Sequence, residues 1–126
     1  MHIWPLLMTS SIQRSLAFYR DRLGFTVVGR DAERDEDVRW CRVARDGASL
    51  MLQQADVDQS PATSSDRRLA LYIVCDDVDA LHADFSARGL QLPVPVNAYY
   101  SMRQLEVPDP DGYAVCFETP LQGWQG

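Results

Sequence analysis

Few side chains in this chain could do chemistry. Two histidines, His2 and His82, and three cysteines, Cys41, Cys75 and Cys116, supply every imidazole and thiol. No CxxC or Cys–His spacing joins them, and each cysteine stands among apolar neighbours. They read as small buried hydrophobes in a reducing cytoplasm, not as zinc ligands or disulfide halves. Cys116 as a nucleophile would need a neighbouring His to make its thiolate, and the sequence puts none nearby. Glu106 and Glu118 fall on neighbouring predicted strands; without imidazole they would hold only Mg²⁺ or Ca²⁺, and loosely. Arg103 could pair with a ligand carboxylate, or with Glu106 or Glu118; a structural ion pair is the preferred reading. The aromatics Trp4, Trp40, Tyr72, Tyr99, Tyr100 and Trp124 offer ring faces that suit a planar or cationic organic ligand. The same rings could pack a dimer interface.

The chain that must position these groups has 126 residues, 46% hydrophobic and 24% charged, which fits a single folded domain. Its 18 acidic residues outweigh 12 basic ones, all Arg, for a formal charge of −6. That field opposes nucleic acid and anionic membrane and mildly favours neutral or cationic small ligands. No apolar run approaches the ~20 residues that span a bilayer, and no signal-peptide pattern opens the sequence, so the expectation is a cytoplasmic protein.

The elements repeat. Gly24 and Gly89 each follow a helical pattern, Ser11 to Leu23 and Asp77 to Arg88, and lie 65 residues apart. Gly47 and Gly112, in the Asp46-Gly47 and Asp111-Gly112 turns, keep the same spacing. Ser11 and Asp77 are N-cap candidates. Strands are expected at Ile3 to Thr9, Phe25 to Gly29, Arg39 to Ala44 and Ala48 to Gln53, then at Leu69 to Cys75, Leu90 to Val96, Met102 to Val107 and Tyr113 to Glu118. The result is an α+β fold of two tandem β-α-β-β-β modules, about 1–54 and 69–120, joined by a polar linker at 55–68. One curved mixed sheet with helices on its convex side would leave the other face seeking a ligand or partner.

Three segments in this order carry a resemblance: Ser15-Leu16-Ala17-Phe18-Tyr19-Arg20-Asp21-Arg22-Leu23-Gly24-Phe25, then Leu71 to Val74 leading into Asp76 to Leu81, then Asp109-Pro110-Asp111-Gly112-Tyr113. Together they resemble the vicinal oxygen chelate superfamily of glyoxalases, extradiol dioxygenases and bleomycin resistance proteins. Its enzymes hold a divalent metal with His and Glu ligands on the concave face. Carried over by the repeat, those positions fall here on Trp4, Met51, Ala70 and Cys116. Trp and Ala cannot coordinate, and a lone Met–Cys pair suits only a soft ion. The family's metal and cofactor are therefore expected to be absent. A displaced metal site around His2, Glu106 and Glu118, serving a lyase or dioxygenase, is the alternative.

Pro5-Leu6-Leu7 and the Phe117-Glu118-Thr119-Pro120 ending resemble the bleomycin-resistance branch, although Met8-Thr9-Ser10-Ser11 departs from it. That branch implies a metal-free homodimer whose pockets draw on both chains and sequester an aromatic or cationic antibiotic. The candidate ligand-binding residues are Trp4, Leu6, Trp40, Met51, Tyr72, Tyr99, Tyr100, Arg103, Cys116 and Glu118. Strand alternation sets Met8, Ser49, Gln53 and Ala114 on the same face, and Leu50, Leu52, Leu71, Ile73, Val115 and Phe117 on the helix side.

Overall fold

Helix starts follow their caps. The Ser11 side chain accepts the Arg14 backbone N–H at 3.3 Å and opens α1, Ile12–Ala17. The Asp77 side chain accepts from Ala80 at 3.1 Å and opens α2, Val78–Ala87. The computed structural model describes residues 1–56 and 69–124, so most of the expected linker lies outside the described residues. After α1 the chain widens into a single π-type turn, Phe18–Arg22, with Leu23 N–H on Phe18 O at 3.0 Å. The first helical stretch is therefore not one regular α-helix to Leu23.

Each module builds its own four-stranded mixed sheet. In the first, β1 (Leu6–Thr9), β2 (Thr26–Arg30), β3 (Trp40–Arg45) and β4 (Ala48–Gln54) lie in the order β1-β4-β3-β2. In the second, β5 (Ala70–Val74), β6 (Val96–Asn97), β7 (Met102–Pro108) and β8 (Ala114–Pro120) lie in the order β5-β8-β7-β6. The pairs β1·β4 and β5·β8 are parallel, the others antiparallel. The expected strand at Leu90 to Val96 shrinks to Val96–Asn97. Pro93 and Pro95 have no N–H to give a ladder, which keeps the preceding residues out of it. The Asp46-Gly47 hairpin has both φ values positive, +48° and +89°, as a type I′ turn requires.

One apolar core serves both modules. It joins Leu7, Leu16, Tyr19, Val43, Leu50 and Leu52 to Phe85, Leu105, Val107, Val115 and Phe117. Each module's β-hairpin grips the other module's helix. Arg45, ending β3, reaches Asp84 on α2 at 2.9 Å. Asp109, after β7, accepts the Tyr19 hydroxyl at 2.8 Å. The helix ends also meet: Arg22 donates to the Arg88 carbonyl, and Arg45 to that of Leu23 at 2.6 Å. Gly24 and Gly89, with φ of +71° and +98°, lie under these guanidinium groups, where a Cβ would collide with Arg45 and Arg22 respectively. The repeated glycines thus both end the helices and admit the arginines.

Candidate functional site

Strand parity sets the face away from the helices. In β4, Leu50 and Leu52 enter the core while Ser49, Met51 and Gln53 turn outward. Register carries this across the sheet, because Met51 pairs with both Leu6 and Arg42, and Gln53 with Met8 and Trp40. The outer face of the first module therefore gathers Leu6, Trp40, Arg42 and Met51, with Trp4 just before β1. The Arg42 guanidinium lies 4.1 Å from the Trp4 ring centroid, and its Nη1 donates to Ser49 Oγ at 2.9 Å. Trp4 remains 46% exposed.

In the second module Tyr72 pairs with Cys116, Glu106 with Cys116, Gln104 with Glu118, and Ala70 with Ala114. Cys116 and Glu118 are outside the apolar core yet nearly buried, at 5% and 6% exposure. Tyr100, from the loop after β6, provides part of their cover. Its hydroxyl donates to Glu118 Oε2 at 3.2 Å, and Gln104 Nε2 donates to the same oxygen at 3.0 Å. Partial desolvation and then the Glu118 carboxylate push the Tyr100 phenol up to about 12, so it stays a donor. Tyr99 stands edge-on to Tyr100, centroids 5.2 Å apart, and is fully exposed.

Arg103 makes a structural ion pair. It pairs with Thr119 across β7·β8, one residue out of phase with Gln104 and Glu118, and so turns toward α2. There it binds Asp79 bidentately at 2.8 and 3.0 Å and leaves the open face altogether. Its partner is neither Glu106 nor Glu118. Sequence reasoning missed Arg42 and Gln104 on the open face. Extending the alternation from Trp40 along β3, and from Glu106 back along β7, would have found both.

The donor set does not fit a metal. Among the described residues no three His, Cys, Asp or Glu side chains come together to hold an ion. Glu106 is exposed, Glu118 is already hydrogen-bonded, and His2 sits in the exposed segment before β1 of the other module. His82, on α2, bonds the Leu92 carbonyl at 3.1 Å. Nor is Cys116 an activated thiol: burial, then the charges of Glu118 and Glu106, push it up to about 11. Burial also takes Cys41 up to about 11. Both cysteines should therefore alkylate with iodoacetamide at pH 8 about a hundredfold or more slowly than a free thiol of pKa ~8.5. Mass spectrometry of the time course checks this, and fast labelling of Cys116 would restore a nucleophilic role.

A cavity of about 900 Å³ lies between the modules, apart from the Trp4–Arg42 pair. Phe25, Leu50, Leu71, Ile73, Leu81 and Phe117 line it, with Arg45, Asp76 and Asp77. These six residues belong to the core or pack against it, while the exposed Ile3, Val74 and the candidate residue Tyr72 also line the cavity. No described helix is long and apolar enough to cross a membrane.

Solved structures share this architecture. TnmS3, an antibiotic binding protein from Streptomyces sp. CB03234, is 28% identical with a TM-score of 0.68, covering 95% of this chain and 97% of its own. A bleomycin resistance determinant encoded on the transposon Tn5 superposes with a TM-score of 0.76 at 20% identity, covering 95% and 98%. A glyoxalase/bleomycin resistance protein/dioxygenase from Nocardioides gives 0.73 at 19% identity, covering 99% and 87%. The search of curated proteins returned no significant match. The family model for the same superfamily matches residues 2–117. On that match, supported by the paired β-α-β-β-β modules, the chain belongs to the glyoxalase/bleomycin resistance protein/dioxygenase superfamily.

Proposed function

We propose that the protein is a metal-free small-molecule binder that sequesters an aromatic or cationic compound, an antibiotic being the class the neighbour TnmS3 is named for. The observation that carries this reading is the open face: Trp4, Met51, Ala70 and Cys116 stand where a metal-dependent relative would need imidazole and carboxylate, with Trp40, Arg42 and Tyr72 beside them. In the same proposal the binding unit is a homodimer. Strands β1 and β5 are outer strands of their sheets, each with one unpaired edge. Leu6, Tyr72 and Val74 along them are 43%, 56% and 58% exposed. A second copy pairing at these edges would bring the Trp4 face of one chain against the Tyr72 face of the other and cover that apolar surface.

Elemental analysis after loading with Zn²⁺, Ni²⁺, Mn²⁺ or Fe²⁺ tests the first part. Less than about a tenth of a metal per chain is expected, and ligand-induced tryptophan quenching should survive chelation. Near-stoichiometric metal, with activity lost to a chelator, would overturn the proposal in favour of a metal-dependent lyase or dioxygenase. Trp4→Ala should weaken binding of a quenching ligand about tenfold or more, the usual cost of removing an aromatic anchor. Light scattering of the purified protein should return twice the chain mass.

A further inference from the structure

Arg42 is set apart from the other arginines. Of the ten among the described residues, eight contact a carboxylate: Arg14, Arg20, Arg30, Arg34, Arg39, Arg45, Arg88 and Arg103. Arg22 is committed to the Arg88 carbonyl. Arg42 alone spends its charge on an indole and a serine hydroxyl, in a chain whose acidic residues outnumber basic ones by 18 to 12. A guanidinium has five N–H donors in a plane, and Ser49 takes only one direction of Nη1. Trp4 covers one side of that group at 4.1 Å, and among the described residues no other side chain accepts from its remaining donors.

The other charged groups on this face, Glu118 and the exposed Glu106, carry the opposite sign. Glu118 is 6% exposed, and its Oε2 already accepts from Tyr100 and Gln104. It is poorly placed to take a ligand cation, yet it repels an anion. A ligand carrying an acidic oxygen would therefore lie with that oxygen toward the first module and its neutral part toward the second.

We infer that the Trp4–Arg42 stack is an anchor for an acidic oxygen on a planar ring, so that the compound bound at the open face is an aromatic acid and not an aromatic cation. The inference rests on the proposed binding at that face and narrows it. A carboxylate or phenolate meets the guanidinium edge in a charge-assisted, in-plane hydrogen bond while its ring extends along the Trp4 and Trp40 side chains.

Three probes of one shape separate the outcomes by calorimetry in low-salt buffer: 3-hydroxy-2-naphthoate, its methyl ester and 2-naphthylmethylammonium. The naphthoate should bind about tenfold or more tightly than the ester, and the cation weakest of the three. R42Q should bring the naphthoate down to the ester's affinity. R42K, which keeps the charge without the planar fork, should fall between wild type and R42Q, and it serves as the test if R42Q folds poorly. Ester or cation binding as well as the naphthoate, or a naphthoate margin that survives R42Q, overturns the inference while leaving binding at the face intact. No heat from any probe at millimolar concentration counts against the binding proposal itself, and the inference falls with it.

Discussion

Asp111→Ala should cost about 2–4 kcal/mol of stability at pH 7, measured by urea unfolding, because one carboxylate ties the second module's turn to the start of the first module's helix. Its side chain is 4% exposed. Oδ1 accepts from the Ser10 backbone N–H at 3.1 Å and the Ser10 hydroxyl at 2.6 Å, with Arg14 at 3.3 Å. Oδ2 accepts from the Thr9 hydroxyl at 2.5 Å, and Thr9 in turn bonds Ser15 at 2.6 Å. Truncation leaves several of these donors without their acceptor, and unsatisfied buried donors are what makes such a loss large. Asp111→Asn, which keeps the shape and one acceptor, should cost less than the alanine variant.

The same residue gives the loss a pH signature. Burial raises the Asp111 carboxyl, but the Ser10 and Thr9 donors and the Arg14 charge outweigh it and hold the group below the usual carboxylate range. A folded-state pKa below the unfolded value means the unfolded chain takes up the proton first. The contribution is therefore complete above about pH 4 and drains away as pH falls through the folded value. The stability gap between wild type and Asp111→Ala should narrow as pH falls below about 4. A gap independent of pH would mean that packing, not the charged acceptor, is what the aspartate supplies.

Phe85→Ala should be at least as damaging, about 3–5 kcal/mol. The ring is fully buried on α2, edge-on to Phe117 at 5.1 Å between centroids. The Arg45 guanidinium lies 5.9 Å from its centre on the side of the other module. Phe117 sits on β8 next to Cys116 and Glu118, so the cavity left by the ring would loosen the strand that carries half of the open face. Thermal unfolding should show the destabilisation, and Phe85→Leu, which refills most of the volume, should recover much of it. A near-neutral Phe85→Ala would place the strength of the core elsewhere, in the first module.

These two sites also show where sequence information stops. The helix caps, the hairpin turns and the inward and outward sets of β4 and β8 are local patterns, with partners two to four residues away, and the 65-residue repeat is the recurrence of such patterns along the chain. Ser11, Asp77, Gly24 and Gly89 do in the fold what their types predict. Pro93 and Pro95 carry a local signal too, against the long sixth strand expected at Leu90 to Val96. The partner of Arg103 turns on a single step of parity. Without the β7·β8 register nothing tells whether it shares a face with Glu118 or with Thr119, and its carboxylate partner lies 24 residues away on α2.

By itself, then, the sequence determined the two modules, the apolar sets that bury between them and the absence of a metal-binding pattern at the four repeat-related positions. The tertiary structure decided the rest: that Tyr19 meets Asp109 across 90 residues and Thr9 meets Asp111 across 102, that Tyr100 folds over Glu118, and that Arg42 lies on Trp4. The physical reason is one of range. Caps, turns and strand alternation are set by backbone bonds and steric preferences within a few residues, whereas these contacts exist only once two separate sheets have buried a common core.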